Sequence, residues 1–448
     1  MKKTLLLTVA FALNYSANAQ WTAQNTNFTA DSRGVEDIKI VDANTVWALG
    51  YDGSSTTPAN VQEFTKTTNG GTTWTTGTVN VSNTGLTLTN ISAASSTVAW
   101  VGAVDAANGG GGVWKTSDGG ATWTKQNTSA YSTTGSLASY FNVVHFFDAN
   151  NGLTQGDPIG TGVGEFEVYR TTNGGTSWTA VPAASLPNPA TGEYGYNGGN
   201  VGAGNSFWFV TNKGKLYRTT DQGITWTKLN TPITDFSATN VGGQIFFSDN
   251  NNGILLARTG NTTTGTYTLY KTSDGGTTWG TGTPYTQPYR SLAYVPGTSI
   301  LVGTGLNGTT YSSAKSQDNG TTWTPIDTGT QRTSVSFLNA TTGWAGGFTS
   351  DGTGGIFKYT GASLGTNDFA LDSSFKIFPN PANGELNLRG SAISEIAIYN
   401  LLGKQVLNQK FATQDQVSLN VSGLETGIYL LTATNETGAS QTIKFVKN

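Results

Sequence analysis

Three arginines stand where a charged side chain could meet a ligand. Arg33 lies in Asp31-Ser32-Arg33-Gly34, Arg290 in Pro288-Tyr289-Arg290-Ser291 and Arg332 in Thr330-Gln331-Arg332-Thr333, each in a loop just before a β-rich run. A guanidinium carries a permanent charge and a planar fork of donors that matches carboxylate, sulfate or phosphate. Charged residues make up only 11% of the chain, against about 25% in typical domains, so three arginines in equivalent slots point to an anion site. The competing expectation is that each pairs with local acids such as Asp31 and Glu36. Two loop carboxylates form a second candidate set, Asp157 in Gln155-Gly156-Asp157-Pro158 and Glu193 in Gly192-Glu193-Tyr194-Gly195. Two carboxyls facing one cleft can act as acid and base on a glycosidic bond, with separations of ~5 to ~9.5 Å deciding the stereochemical course. Asp-Pro is also an ordinary turn opener. Tyr51, Tyr194, Tyr196, Tyr285 and Tyr289 suit stacking on sugar rings, and Tyr194 and Tyr289 join the three arginines as the candidate ligand-binding set. The single histidine, His145, sits in Val143-Val144-His145-Phe146-Phe147 and reads as a packed core residue. No metal or cofactor is expected.

The elements that must hold these residues are written in tryptophan. Trp21, Trp74, Trp123, Trp178, Trp226, Trp279 and Trp323 are 53, 49, 55, 48, 53 and 44 residues apart. Six of them close a phrase whose clearest copy is Lys-Thr-Ser-Asp-Gly-Gly-Thr-Thr-Trp, Lys271 to Trp279. Asp or Asn followed by Gly between β-rich runs is a strong hairpin signal, with Gly supplying positive φ and Trp burying a large ring between sheets. The acid or amide falls at Asn69, Asp118, Asn173, Asp221, Asp274 and Asp318, and turn chemistry accounts for all six without a ligand.

A β-run, a turn and a second β-run precede each phrase, as in Val35 to Val41 followed by Val46 to Gly50, with copies near Leu88, Asn142, Asn200, Gln244, Ser291 and Thr333. Seven such pairs and six complete phrases leave the last unit, ending Gly355-Ile356-Phe357-Lys358-Tyr359, without an outer strand. Gln20-Trp21-Thr22-Ala23-Gln24-Asn25 resembles the residues at the end of the other phrases, such as Trp123-Thr124-Lys125-Gln126-Asn127, and is expected to fill it. Closure of this kind removes open sheet edges. The units that carry Arg33, Arg290 and Arg332 would then be neighbours.

The six phrases resemble the Asp-box of bacterial neuraminidase repeats, found in sialidases, sortilin-type receptors and photosystem II assembly factor-like propellers. All keep the Gly, the Thr or Ser before the ring, and the Trp. Asn69 and Asn173 replace the acid, and Gln222 and Asn319 stand where Gly usually follows it. Over residues 20–361 the resemblance implies a seven-bladed all-β propeller, with the box between the outer strands, away from the ligand face. Sialidases carry a Phe/Tyr-Arg-Ile-Pro motif, which Tyr289-Arg290-Ser291-Leu292 matches only in half and in a different blade. A specific sialidase is therefore not expected. The wider glycoside hydrolase class stays open, as does an assembly factor for a surface complex.

The beginning of the chain, with Lys2-Lys3, an apolar run from Leu5 to Leu13 and Ala17-Asn18-Ala19, reads as a signal peptide over 1–19. Removing it takes the formal charge from −3 to −5 (two lysines lost), which gives no footprint for nucleic acid. No other segment reads as a membrane span, and a monomer is expected. After a joint at 362–374 the composition changes, tryptophan disappears, and short strands are predicted at 375–378, 385–389, 395–399, 405–409, 417–421, 427–434 and 442–446, a small antiparallel, immunoglobulin-like sandwich. Phe378-Pro379-Asn380-Pro381-Ala382-Asn383-Gly384-Glu385-Leu386, Ile398-Tyr399-Asn400-Leu401-Leu402-Gly403-Lys404 and Leu424 to Leu431 running to Lys447 resemble the type A C-terminal sorting domain of the type IX (Por) secretion system of Bacteroidetes. That resemblance implies Sec export, passage through the type IX machinery, and release or attachment to surface lipopolysaccharide. The expectation is thus a secreted or cell-surface propeller that binds an extracellular glycan or protein through its upper face.

Overall fold

The structure is a computed structural model that describes residues 20–54, 59–126, 131, 139–159, 164–236, 238, 240–261, 265–349, 354–364, 376–400, 404–435 and 440–448. The expected signal peptide and most of the joint lie outside these residues. Among them, no helix is long and apolar enough to cross a membrane. The chain forms two compact units, Met1–Leu364 and Gly365–Asn448.

In the first unit the described residues build seven antiparallel sheets with four strands each, six of them in sequence order, plus one added short strand. Blade one runs Arg33–Ile40, Val46–Asp52, Glu63–Thr67 and Thr75–Thr78, and blades two to six repeat that order with first strands at Thr87–Ala93, Phe141–Phe146, Gly195–Ala203, Val241–Phe247 and Tyr289–Tyr294. Blade seven takes Ser334–Asn339, Thr342–Gly346 and Gly355–Tyr359, and its outer strand is the N-terminal Trp21–Asn25, in register Trp21↔Tyr359 to Asn25↔Gly355. The short strand Phe348–Thr349 leaves blade seven to pair with Arg33 and Gly34 of blade one. The ring therefore closes twice, once through each strand.

Each pair of adjacent blades encloses its own apolar core. Trp47, Phe64 and Trp114 of blades one and two form one, Trp208 and Phe247 of blades four and five another, and Trp344 and Trp74 of blades seven and one the seam across the closure. Burial at these seams is the driving force that holds sheet to sheet. Hydrogen bonds add direction to it. The basic residue on the third strand of a blade reaches forward to the box turn of the next: Lys66 Nζ donates to Gly119 O at 2.8 Å, Lys115 to Gly174 O at 2.7 Å, Arg170 to Gln222 O at 2.8 Å, Arg218 to Asp274 O at 3.0 Å, Lys271 to Asp318 O at 2.8 Å and Lys358 to Gly70 O at 2.8 Å. Four of them cross an indole of their own blade, Lys66 over Trp47, Lys115 over Trp100, Arg218 over Trp208 and Lys358 over Trp344. Lys315 holds the corresponding strand position in blade six, and the blade that follows takes its outer strand from Trp21–Asn25, which carries no box.

Every box is satisfied from within. In blade five the Thr272 hydroxyl donates to Asp274 Oδ1 at 2.8 Å and accepts from Gly276 N at 2.9 Å, while the acid accepts from Thr278 N at 2.9 Å and its hydroxyl at 2.6 Å. Asn69 keeps the scheme through its amide, which donates to Thr73 Oγ1 at 2.9 Å. Gln222 and Asn319 occupy the usual Gly place in the left-handed region, at φ 59° and 55°. These bonds hold Asp118 and Asp274 down at about 2, through Thr122 and Thr278 in the first place, and Asp221 and Asp318 are also lowered although burial opposes it. A lowered carboxylate contributes stability above its unfolded pKa of about 3.9 and loses it as pH falls through the folded value. Acid unfolding should therefore steepen between about 4 and about 2. Asp118→Asn with Asp274→Asn should flatten that limb by removing, above about pH 4, the stability that the ionised carboxylates contribute, with the variant and the parent chain converging in acid, read by fluorescence-detected unfolding across pH. An unchanged acid limb would contradict this reading of the box.

The second unit is a sheet curled over one core of Leu386, Leu388, Ile396, Ile398, Leu431 and Phe445. The strands expected at 385–389 and 395–399 are one strand, Glu385–Asn400, and those at 405–409 and 417–421 are one strand, Gln405–Asn420. Their pairing shifts register between Arg389 and Ile393, around Ala392 at φ 54°. The bulge bends the strand without ending it, so its first half pairs with Lys376–Phe378 and its second with Gly427–Asn435.

Candidate functional site

The first strand of a blade lines the central channel, and in four blades it carries a bulge at the same register. Glu36 is the extra residue between Val35 and Asp37, Thr89 between Leu88 and Asn90, Asn142 between Phe141 and Val143, and Arg290 between Tyr289 and Ser291. Bulges re-aim a side chain while the flanking ladder stays intact. Four blades thus carry an extra residue at one equivalent position of the innermost strand.

The three predicted arginines do not form one cluster of free charges. Arg33 Nε donates to Glu63 Oε2 at 3.1 Å, with Asp52 at 3.8 Å. Arg332 is buried, forks onto Asp327 at 2.9 and 2.6 Å, and lies 5.2 Å from the ring centroids of both Trp21 and Phe357. Their partners are not the anticipated Asp31 and Glu36 but acids brought from the second and third strands of blade one and the fourth strand of blade six. Arg290 alone of the three keeps a guanidinium without a carboxylate among the described residues. It lies on Tyr267 at 3.7 Å and near Tyr285 at 5.4 Å, and donates to the carbonyls of Tyr289, at 3.2 Å, and Gln287.

A cavity of about 400 Å³ opens beside it, lined by Arg290, Arg258, Tyr196, Tyr267, Gly242 and Gly243 among others. Arg258 was not among the arginines anticipated from the sequence. It lies near the end of the second strand of blade five, opposite Gly242, and its guanidinium donates to Gly260 O at 2.5 Å. A Cβ at Gly242 would come within 2.9 Å of Arg258 Nη2 and 3.0 Å of the Tyr196 hydroxyl, so the missing side chain is what lets these groups converge. The available clue was an arginine opening a loop between second and third strands, next to Gly260 and Gly265.

The two predicted carboxylates have different surroundings. Asp157 Oδ1 accepts from Asn142 Nδ2 at 2.7 Å and from Gly195 N at 2.8 Å, and burial pushes its pKa up to about 6. Glu193 is fully buried and spends its oxygens on Lys228 Nζ at 2.7 Å, Thr211 Oγ1 at 2.9 Å and Ala190 N at 2.6 Å. The turn in which Glu193 N donates to Ala190 O folds the side chain inward, away from the channel it was expected to face. Tyr194 is exposed, whereas Tyr289 is buried with its ring 5.0 Å from Trp323. His145 packs on Phe147 and Phe207, and burial holds it at about 3 and hence neutral.

Residues 376–448 match the family described as secretion system C-terminal sorting domain. Over 195 residues, 39% of this chain, the sequence is 29% identical to a xyloglucanase of Paenibacillus sp, and the chain spans 18% of that relative's length. Among solved structures, YCF48 bound to D1 peptide is 17% identical, covering 76% of this chain and 97% of its own at a TM-score of 0.49. The Hadza microbial sialidase Hz136 is 13% identical, covering 74% and 66% at a TM-score of 0.42. The chain thus joins a seven-bladed β-propeller to a C-terminal domain that belongs to the secretion system sorting family.

Proposed function

We propose that this protein is carried out of the cell by the type IX route that its sorting domain implies, and that its propeller, released or held on surface lipopolysaccharide, binds an extracellular glycan or protein through an anionic group at the upper-face cavity. The observation that carries the reading is the pair Arg258 and Arg290, two guanidiniums without acid partners among the described residues, on one tyrosine-walled cavity. Elsewhere in this chain arginines of the upper loops are neutralised by carboxylates. Planar, permanently charged forks favour carboxylate or sulfate over neutral sugar, and the tyrosines give faces on which a ring can stack.

Binding of the full chain to a panel of acidic and neutral polysaccharides and glycoproteins tests this. Acidic members should be retained, and Arg258→Ala and Arg290→Ala should each weaken retention about tenfold or more, the scale of a lost charge-assisted hydrogen bond. Equal retention of neutral counterparts, or unchanged binding by both variants, would refute it.

A glycoside hydrolase is the second reading, favoured by Asp157, a carboxyl poised near 6 beside the exposed Tyr194. Glu193 is too well sealed to supply the second carboxyl, so this reading needs another partner. New reducing ends in the same panel, lost in Asp157→Asn, would establish it over binding alone.

A further inference from the structure

The mouth of the channel carries a second unpartnered charge that the anion site does not use. Glu36 is the bulged residue of blade one, in the register position that Arg290 holds in blade six. Among the described residues its carboxyl makes no hydrogen bond and no ion pair. Its side chain is exposed, while desolvation by the protein around it together with the neighbouring Asp37 pushes its pKa up to about 7. It is therefore accessible to a ligand at the bulge of the innermost strand. The charges around it do not cancel. Asp37 and Lys39 lie on its own strand, and Asp37 is already held by Ile91 N at 2.8 Å. The phenol of Tyr51 from the next strand interacts with Glu36, and Tyr51 in turn interacts with the phenol of Tyr311 from blade six. Tyr51 reaches Thr333, and Thr333 is part of the wall of the Arg258–Arg290 cavity. Blade seven, the one between, places no charge there of its own, since Arg332 is consumed by Asp327.

A binding mouth with two free guanidiniums on one side and a free carboxyl on the other fits a ligand of matching polarity. We propose that it is a two-pole site for a small zwitterion, whose carboxylate lies between Arg258 and Arg290 and whose primary ammonium reaches past Thr333 to Glu36. An ammonium is favoured over a hydroxyl because Lys39 interacts with Asp37 and not with Glu36, which feels only the repulsion of Asp37, and a bound cation offsets that repulsion. The inference rests on the anion-site reading and adds the second pole. A cation beside Glu36 stabilises its ionised form, so binding expels a proton and tightens as pH rises through about 7. His145, the nearby imidazole, stays neutral throughout that range.

The test is calorimetric titration of the full chain with γ-aminobutanoate, ε-aminohexanoate and ω-aminooctanoate, each against its N-acetyl derivative, which keeps the anion and removes the cation. At the length that spans the mouth the free amine should bind about tenfold tighter, with proton release seen as a dependence of the heat on buffer ionisation. Glu36→Gln should erase that preference while leaving the N-acetyl affinity unchanged, and Arg290→Ala should weaken both forms. If acetylated and free ligands bind alike at every length, or Glu36→Gln leaves the preference intact, the second pole is wrong while the anion site stands. If no member binds at all, or Arg290→Ala changes neither form, the anion site falls as well.

Discussion

Arg332→Met is expected to lower the stability of the protein by about 3–5 kcal/mol, the range found when one partner of a buried ion pair is removed and the other is left charged. Arg332 and Asp327 are both largely shielded from solvent and joined by two hydrogen bonds. Their pair belongs to a longer chain of contacts. Trp21 Nε1 donates to Ser313 Oγ at 3.1 Å, Ser313 donates on to Asp327, and the guanidinium lies between the rings of Trp21 and Phe357. This network joins blade six to the N-terminal strand at the seam where Lys315 meets no box turn. It replaces the forward hydrogen bond that the other seams possess. Loss of Arg332 should therefore appear locally as well as globally, as faster amide exchange in Trp21–Asn25 before the rest of the ring. Denaturant unfolding followed by tryptophan fluorescence gives the magnitude, and a second variant, Arg332→Met with Asp327→Leu, should recover much of the loss because no orphaned charge remains. A single-variant cost below about 1 kcal/mol, the value of an ordinary exposed pair, would show that the seam is held by apolar packing alone.

The largest functional effect is expected from the other end of the chain. Removal of residues 376–448, the span that matches the sorting family, should abolish appearance of the propeller outside the cell while leaving it folded within. The propeller's seam cores are made from its own blades, and the second unit has a separate core, so each unit buries its own apolar residues. Phe445→Asp should act like the deletion, since Phe445 is fully buried in that separate core and a carboxylate placed there has no partner to offset its desolvation. Fractionation of expressing cells with detection of the propeller checks both. Export of the truncated chain at the level of the intact one would mean that the propeller carries its own export information.

The ring was legible in the amino-acid order because its determinants are local. Asp274-Gly275-Gly276 makes its turn with bonds spanning four residues, and the same phrase recurs at one-blade intervals. Counting six phrases against seven inner pairs was enough to expect Trp21–Asn25 in blade seven, although that pairing joins strands at opposite ends of the propeller sequence. The bend at Ala392 was not legible, because a bulge and a strand break have similar local composition and only pairing with Gln405–Asn420 on one side and Gly427–Asn435 on the other decides between them.

Charge was the property that the amino-acid order left open. Arg33, Arg290 and Arg332 occupy look-alike slots, yet Asp52 and Glu63 neutralise the first and Asp327 the third. Arg290 finds tyrosine faces and backbone carbonyls instead. Glu193 and Asp157 looked like a matched pair until the turn at Ala190 buried one under Lys228 and left the other at the channel. Propeller, closure and sorting domain follow from the sequence alone because short repeated bonds and apolar periodicity dictate them. Which charges remain free to meet a ligand was decided only by the tertiary structure, because a salt bridge forms between strands brought together by the fold and its energy depends on burial that no linear order specifies.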